Sequence, residues 1–346
     1  MKLLIITKTV DEQDQLLGFF VEWLRLFANK FEKVEVLCLV KGKYSLPSNV
    51  AVHEIGKYQG ISKLKYIFNF YFLIFTLRNK YDVVFVHMNP IWMVVGGIFW
   101  KITRKKSFLW YTSGGVTPKL KIAEKFADTI LTASKESFRL PSKKIIVTGH
   151  GIDTGLFKPD ISKLNFDRDS KFNFRILSVG RIALVKNYEI LIDAAKILKD
   201  KGINFSVTMV GEAPLEGDRN YEVEIRSKIK NLGLENNFNF VGKVNHNDLP
   251  KYYQSHDIFI HLSKTGSLDK TILEAMSCGM KVLSSSDVSK PFLPPELIFN
   301  DSDSVELAEK IIALANANPD NKLREYVVQH HNLDKLVDKI SLIIKS

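Results

Sequence analysis

The chain has 346 residues, of which 45% are hydrophobic and 25% charged, and it carries a net charge of +11. This composition excludes a disordered chain, and the length predicts two domains because single hydrophobic cores rarely grow beyond about 250–300 residues. The positive charge favours an anionic partner, such as phosphate groups, nucleic acid or an acidic membrane surface. Cys38 and Cys278 lie far apart, which excludes a disulfide framework and fits a reducing cytosol.

The apolar runs are too short to be targeting or membrane-spanning segments. Residues 2–7 have too short an apolar core for a signal peptide and predict a first strand. The most apolar runs, residues 66–77 and 88–100, are about a dozen residues each, whereas a membrane span needs about 20. We therefore expect a cytoplasmic protein whose apolar helices are buried or lie at the inner face of the membrane.

Strands and helices alternate along the first half of the sequence. In chain order the patterns predict a strand at 2–7, a helix at 16–30, a strand at 33–40, a helix at 58–79, a strand at 82–87, a helix at 91–103, and strands at 107–112, 129–133 and 144–148. The polar, charged segment 161–171 is typical of a linker between domains. This alternation predicts a parallel, doubly wound α/β sheet.

The second half repeats this architecture. Strands are predicted at 173–179, 205–210, 238–241 and 257–262, and helices at 188–200, 221–232, 248–255, 305–315 and 333–344, with one more helix between Ser267 and Gly279. We therefore expect two Rossmann-like domains, residues 1–160 and 161–325, that face a cleft. Ligands of such sheets bind beyond the carboxyl ends of the strands.

The stretch 266–279 places a glycine-containing loop and a helix start directly after a buried strand. This geometry points free backbone N–H groups at an anion. Asp269 can cap the helix and Gly279 can end it. Lys270 opposes the helix dipole by about 0.3–1 kcal/mol, which a bound phosphate would offset, and Glu274 is placed to accept hydrogen bonds from vicinal hydroxyls. The alternative is an exposed lysine beside an exposed glutamate on an ordinary helix.

Two cations, Arg181 and Lys186, share the loop after the first strand of the second half. Arginine supplies a bidentate fork and lysine a point charge, so together they can neutralise a diphosphate without a metal. The alternative for each is a solvated loop cation.

We expect no metal site at the two Asp-x-Asp triplets, 167–169 and 301–303, because the first falls in the linker and the second at a helix cap. Segment 149–155 departs from the dinucleotide fingerprint in its spacing.

The set of spaced signatures resembles the GT-B glycosyltransferases, and specifically glycosyltransferase family 4. The segments that carry the resemblance are 180–181 with Lys186, 209–214, 240–244, 252–263 and 273–279, together with 151–153, Phe157, 324–328 and 333–335. The resemblance implies a retaining, metal-independent hexosyltransferase without a cofactor. Its donor would be a nucleoside-diphosphate sugar, UDP- or GDP-linked, and its acceptor a glycan or lipid-linked molecule in cell-envelope or polysaccharide biosynthesis.

The resemblance also implies roles for individual residues. Arg181 and Lys186 would be catalytic by stabilising the leaving diphosphate, and Glu274 would bind the ribose. The implied donor-binding residues are Gly180, Arg181, Lys186, Gly211, Lys243, Val244, Gly266, Ser267, Leu268, Asp269, Lys270, Thr271 and Glu274. The family's last helix crosses back, so we expect residues 326–346 to pack on the first domain.

The sequence departs from the family pattern at three places. The family usually has two glutamates eight residues apart, and Gly266 stands at the first position; Asp269 or the backbone after Gly266 would take over that contact. The loop 113–115 lacks the histidine that the family often has there. The usual paired glycines after the first strand are reduced to Gly18. The remaining motifs predict that donor binding is retained, and the alternative is a catalytically weak or non-catalytic relative.

The acceptor is expected on the first domain, at strand ends. The residues are Gly18, His87, Asn89, Ser113 and Gly114, and the alternative is that these groups only satisfy loop backbone. The basic, aromatic stretch 57–80 with 104–106 suits an anionic membrane surface; its alternative is a buried helix with a solvated basic fringe. We expect residues 330–331, two histidines, to be solvated at a helix end.

Two other function classes remain open. One is a sugar-nucleotide epimerase of the same two-domain fold, which would consume a nucleotide-sugar without an acceptor. The other is a nucleic-acid-binding protein, suggested by the net charge. Against it, the lysines are dispersed and no recognised binding module is present, so we expect no nucleic-acid partner.

Overall fold

A computed structural model describes residues 1–14, 16–56, 62–160, 174–317 and 321–346, with only the backbone at Lys63. They form two compact units, Met1–Gly151 with Leu333–Ser346, and Ile152–Asn332. Each unit contains one parallel sheet, which confirms the predicted α/β class. The expected linker 161–171, the first Asp-x-Asp triplet 167–169 and the start of the basic stretch, 57–61, lie outside the described residues.

The first unit is built on a seven-stranded sheet with the order β3-β2-β1-β4-β5-β6-β7. The strands are β1 Lys2–Val10, β2 Lys33–Lys41, β3 Val50–Glu54, β4 Val83–His87, β5 Ser107–Trp110, β6 Thr129–Thr132 and β7 Ile145–Val147. The helices are α1 Phe20–Ala28, α2 Lys63–Thr76, α3 Pro90–Ile102, α4 Pro118–Phe126 and α11 Leu333–Lys345.

Both faces of this sheet are covered, as the continuous apolar strands predict. Along β1, Leu3 and Ile5 pack on the side of α1 and α11, whereas Leu4 and Ile6 pack on the side of α2, α3 and α4. The carboxyl-terminal helix α11 contributes Leu333, Leu336, Val337, Ile340 and Ile344 to the first of these cores. The described part of the chain contains no helix that is long and apolar enough to cross a membrane.

The second unit has a five-stranded sheet with the order β10-β9-β8-β11-β12. Its strands are β8 Phe174–Val179, β9 Phe205–Val210, β10 Phe238–Gly242, β11 Ile258–His261 and β12 Lys281–Ser284. Its helices are α5 Tyr188–Asp200, α6 Glu216–Asn231, α7 Pro250–Ser255, α8 Lys270–Ser277, α9 Ser304–Asn316 and α10 Lys322–His330.

The two units divide at Gly151/Ile152 and at Asn332/Leu333, whereas the sequence suggested 160/161 and 325/326. The reason is packing: Ile152, Phe157 and Val327 all lie in a core of the second unit. α10 therefore belongs to the second unit, and α11 to the first. His331 is buried, and its carbonyl accepts the Ile152 N–H at 2.7 Å, so the expectation of a solvated histidine pair is wrong for His331.

Candidate functional site

Three strands of the second unit end at glycines with positive φ angles, at the same edge of the sheet. Gly180 follows β8, Gly211 follows β9, and Gly242 ends β10, with φ angles of +156°, +142° and +78°. Gly211 donates its N–H to the Gly242 carbonyl at 2.9 Å, and a Cβ on Gly211 would overlap the Gly180 carbonyl oxygen. Only glycine permits this close approach, which leaves a bare backbone at the carboxyl edge of the sheet.

The two predicted cations occupy different environments in the loop after β8. The Lys186 side chain is only 14% exposed, and its ammonium donates to Asp269 Oδ2 at 2.6 Å. Arg181 is exposed, and its guanidinium makes no hydrogen bond or ion pair with the described part of the chain. The alternative of a solvated cation is therefore wrong for Lys186, whereas Arg181 faces solvent and is available to a ligand.

Asp269 stands at the N-cap position of α8, but its side chain does not cap the helix. Its Oδ2 lies 2.6 Å from Lys186 Nζ and 3.1 Å from His261 Nε2. Burial raises the pKa of Asp269, but the hydrogen bond from His261 and the charge of Lys186 outweigh it and hold that pKa well below its ordinary value. The predicted cap is wrong because the carboxylate binds the Lys186 ammonium and the His261 ring instead.

Glu274 lies one turn into α8, as predicted, but it is buried rather than exposed. Its Oε2 accepts the Tyr253 hydroxyl at 3.0 Å, and its Oε1 lies 3.2 Å from His246 Nε2. Burial raises the pKa of Glu274, and the His246 contact and the charge of Lys270 bring it below its ordinary value. Because a carboxylate has about four acceptor positions, these contacts leave room for further donors, and the ribose role stays a prediction.

The first turn of α8 is also less exposed than an ordinary helix start. Burial lowers the pKa of Lys270 from 10.5 to about 8, and the negative charges of Glu274 and Asp153 oppose this shift. The Thr271 hydroxyl is buried and finds no hydrogen-bond partner among the described residues. The alternative of an exposed lysine beside an exposed glutamate is therefore wrong.

The remaining predicted donor residues lie along the same edge, but some are not accessible through their side chains. Leu268 and Val244 pack into a hydrophobic core, and Ser267 is buried, so a ligand could reach them only through the backbone. Lys243 is exposed after β10, and Gly266 has a φ angle of +62°. The predicted residues thus follow the ends of four neighbouring strands, β10, β9, β8 and β11.

The second Asp-x-Asp triplet has a structural role. Asp303 accepts the Glu306 N–H at 2.9 Å and so caps α9, which confirms the prediction. Asp301 pairs with Lys264 at 3.3 Å and lines an open pocket of about 670 Å³ beyond β12. Across the described ranges, no three His, Cys, Asp or Glu side chains gather in a group that could hold a metal ion.

Three buried polar residues of the second unit were not singled out from the sequence. His261 ends β11 and contacts both Asp269 and Ser284, and its position inside an apolar run was the available signal. His246 and Tyr253 hold Glu274 from elements 28 and 21 residues away. Their pairing depends on tertiary structure, so no local pattern indicates it.

The predicted acceptor residues of the first unit mostly have structural partners. His87 ends β4 but is buried; its ring stacks on Phe20 with centroids 3.9 Å apart, and its Nδ1 lies 3.2 Å from Thr7 Oγ1. A Cβ on Gly18 would lie 2.6 Å from the Asp14 carbonyl oxygen, so this buried glycine serves a tight turn. The expectation that His87 is open to a ligand is therefore wrong.

The other three acceptor residues follow the ends of two paired strands. Asn89 follows β4, and Ser113 and Gly114 follow the neighbouring strand β5. Gly114 is buried, with its N–H bound to the Ser137 carbonyl at 2.9 Å, whereas Asn89 is half-buried and Ser113 is exposed. The accessible polar side chains of this set are thus Asn89 and Ser113.

The second half of the chain is similar in sequence to known glycosyl transferases. Residues 162–330 match the family model "Glycosyl transferases group 1". Mannosylfructose-phosphate synthase of Agrobacterium fabrum is 29% identical over 149 residues, 42% of this chain and 33% of that protein. The amylovoran biosynthesis glycosyltransferase AmsK of Erwinia amylovora is 30% identical over 160 residues, 44% of this chain and 36% of that protein. The chain thus spans about a third of the length of these relatives.

Solved structures extend the comparison to the whole chain. The crystal structure of Anabaena Alr3699/HepE in complex with UDP and glucose superposes with a TM-score of 0.78 and 21% identity, over 100% of both chains. The chain therefore has the GT-B fold of glycosyltransferases, and its residues 162–330 match the group 1 glycosyl transferases.

Proposed function

We propose that the protein is a retaining, metal-independent glycosyltransferase of family 4, which moves a hexosyl group from a nucleoside-diphosphate sugar to a glycan or lipid-linked acceptor. One observation carries the proposal. Glycine-ended strands, the Lys186–Asp269 pair and the start of α8 lie along one edge of the second unit's sheet. Such an edge offers backbone N–H groups and positive charge to a diphosphate. The group 1 match over 162–330 supports the same reading.

The proposed chemistry is electrostatic. As the bond to the sugar breaks, negative charge develops on the departing diphosphate, and Arg181 and Lys186 stabilise it. Removal of one such donor typically costs about 2.7–4 kcal/mol of transition-state stabilisation. The leaving phosphate accepts the acceptor's proton, so the reaction requires no dedicated base and no cofactor. The Anabaena structure is a complex with UDP and glucose, which supports UDP as the nucleotide of the donor sugar.

Asp269 has a positioning role in this proposal. Gly266 lacks the carboxylate that the family usually has at this place, and Asp269 contacts Lys186 and His261 within 3.1 Å. We assign to Asp269 the orientation of the Lys186 ammonium, and to the backbone after Gly266 the contact with the donor sugar. Glu274 holds the ribose in the same scheme.

Asn89 and Ser113 are the proposed acceptor contacts. The proposed setting is the biosynthesis of a cell-envelope polysaccharide, as the name of AmsK suggests for that protein.

The first test is thermal stability with UDP, GDP, ADP, NAD and sugar conjugates, without metal and then with Mg²⁺ or Mn²⁺. A ligand at a hundredfold excess over Kd stabilises by about 2.7 kcal/mol. We expect one nucleoside diphosphate to stabilise the wild type equally with and without metal. Arg181→Ala should lose this response and its turnover without loss of stability, because its side chain is exposed.

Lys201→Ala is the matched control, an exposed cation in the turn between α5 and β9. It should respond to the nucleotide like the wild type. A wild type that responds to no nucleotide, or an Arg181→Ala protein with unchanged binding and turnover, contradicts the donor site.

Gly266 favours one alternative, a protein of the same fold that binds the nucleotide-sugar without transferring the sugar. Nucleoside diphosphate release from the bound donor separates the two. Release that requires an added acceptor supports the transferase. Binding without release supports the non-catalytic alternative, and conversion of the sugar without an acceptor supports an epimerase.

A further inference from the structure

Helix α2 is apolar on both of its faces. Its inner face packs in the core through Phe70 and Ile74, both fully buried. Its outer face carries exposed side chains, namely Leu64 (81%), Phe68 (69%), Tyr71 (43%), Phe72 (56%) and Phe75 (55%). These five residues, here called the outer stripe, are three or four positions apart except for the adjacent pair Tyr71 and Phe72, so they share one broad face about 16 Å long. A surface helix of a globular protein normally has a polar outer face.

Helix α3 extends this apolar surface. The Tyr71 hydroxyl donates to the Val95 carbonyl at 2.7 Å, which places the outer stripe beside α3. Further along α3, Ile98 is 59% exposed and Ile102 is 76% exposed. Single exposed apolar residues are common on proteins, but a contiguous patch marks an interaction site.

Positive charge flanks this patch at the ends of α2 and α3. Residues 62–128 contain eleven lysines and arginines against three acidic residues. The Arg78 guanidinium lies 4.2 Å from the centre of the Phe75 ring, at the end of the outer stripe. Lys101, Arg104 and Lys106 are exposed at the end of α3. Aromatic and aliphatic side chains flanked by such cations fit a partner that has an apolar interior beneath a negatively charged surface.

We propose that the α2–α3 face is a docking surface for an anionic lipid bilayer, on which the protein lies without crossing it. The outer stripe enters the boundary between headgroups and acyl chains, and the flanking cations reach the lipid phosphates. This inference does not depend on the proposed transferase activity. If both hold, the bilayer presents a lipid-linked acceptor to the unit that carries Asn89 and Ser113.

Charge argues against a second copy of the chain as the occupant. A symmetric dimer through this face would bring each cationic fringe close to its own copy, because a two-fold interface uses the same patch on both partners. Like charges placed opposite each other in an interface are unfavourable. An anionic bilayer instead complements the charge.

The test measures flotation of the purified protein with vesicles of phosphatidylcholine and phosphatidylglycerol in a 7:3 ratio, and with phosphatidylcholine alone. The wild type should bind the mixed vesicles and not the neutral ones. The triple variant Phe68→Ser, Phe72→Ser, Phe75→Ser should lose about tenfold or more of this partitioning. Its matched control is Leu215→Ser, Val223→Ser, Leu342→Ser, three residues 61–71% exposed on other elements.

A second pair of variants tests the charge. Lys101→Glu, Arg104→Glu, Lys106→Glu should lose vesicle binding, whereas Lys135→Glu, Lys201→Glu, Lys230→Glu, with the same change in net charge on exposed positions, should retain most of it. Unchanged thermal midpoints show that the variants fold. The proposal is overturned if the wild type does not bind the mixed vesicles, if the serine variant binds like its control, or if the serine substitutions only dissociate a dimer.

Discussion

Each of the two sheets has a buried histidine at the same topological place, and the two histidines have different surroundings. β4 pairs with β1, and β11 pairs with β8. Each is the fourth strand of its unit in chain order and pairs with the first strand of that unit. β4 ends at His87, whose ring stacks on Phe20 and contacts the Thr7 hydroxyl. β11 ends at His261, which contacts Ser284 and the charged pair of Asp269 with Lys186. The shared topology places the residue, and the side chains around it decide its chemistry.

Glycines show the same contrast. Gly42 directly follows β2, and Gly211 directly follows β9, the second strand of its unit. A Cβ on Gly42 would overlap the Asp11 side chain, whereas a Cβ on Gly211 would overlap the Gly180 backbone. Since a side chain can rotate and a backbone carbonyl in a sheet cannot, the edge of the second unit is the more rigidly specified. This is consistent with an edge that holds a ligand, and it can be tested by substitution.

The largest difference is expected between Gly211→Ala and Gly42→Ala. Gly211→Ala combines a backbone overlap with a φ angle of +142° and should lower the free energy of unfolding by about 3 kcal/mol. Gly42→Ala should cost about 1 kcal/mol, because Asp11 can move at the expense of its hydrogen bonds to backbone N–H groups. Urea unfolding of the two variants measures both values.

Gly202→Ala is the control for backbone strain alone. Gly202 has a φ angle of +70°, and a Cβ there would meet nothing within 4 Å. This variant should cost about 1 kcal/mol. Equal losses in Gly211→Ala and Gly202→Ala would show that the close approach at the edge contributes nothing.

A smaller difference is expected between His261→Phe and His87→Phe. Phenylalanine cannot bind Asp269 or Ser284, so His261→Phe should lose about 2 kcal/mol of stability and, if the proposed donor site is correct, weaken nucleoside-diphosphate binding at Lys186. His87→Phe keeps the ring stacked on Phe20 and should lose about 1 kcal/mol with unchanged nucleotide affinity. Chemical unfolding and titration calorimetry of both variants measure these effects.

The acid dependence of stability provides a further distinction. The pKa of Asp269 is held below its ordinary value, so its stabilisation is present above a pH of about 4 and is lost as the pH falls. His261→Phe should weaken this dependence, and His87→Phe should not. If the two variants have the same acid profile and the same nucleotide affinity, the contrast between the two histidines has no functional meaning.

Much of the fold could be predicted because continuous apolar runs mark buried parallel strands. The elements that the residue patterns missed are β3, β12, α4 and α10. β3 is half-buried along its whole length, and β12 has only four residues. α4 has nine residues, of which Leu120 and Ala123 are buried. The helix predicted from residue 16 begins at Phe20, because the Asp14 side chain accepts the N–H groups of Leu16 and Leu17 and holds a turn.

The sequence predicts which loops and helices carry the site, but not which side chains contact one another there. Since parallel strands end at one edge, the loops after β8 and β11 had to be neighbours of the same sheet. The pairing of Lys186 with Asp269 joins residues 83 positions apart, and the burial of Glu274 depends on His246 and Tyr253. These contacts change what the residues do: Asp269 binds a cation rather than a helix end.

A final expected effect concerns the pH dependence of nucleotide affinity. Lys270 has a pKa of about 8, so it is mostly charged at pH 7 and mostly neutral at pH 9. A nucleoside diphosphate is already ionised over this range, since a phosphate's second pKa is about 6. If Lys270 contacts the diphosphate, affinity should fall by about tenfold between pH 7 and pH 9. Lys270→Met should bind more weakly at pH 7 and lose this pH dependence, as measured by titration calorimetry.

Stability provides an independent measure of the same group. Because the folded pKa of Lys270 is lowered from 10.5 to about 8, the unfolded chain binds more protons between these values, and the free energy of unfolding should rise with pH across that window. Lys270→Met should remove this rise, whereas Lys201→Met should retain it. A rise that Lys270→Met removes, together with a nucleotide affinity that does not depend on pH, would place Lys270 outside the diphosphate contact and leave that charge to Arg181 and Lys186.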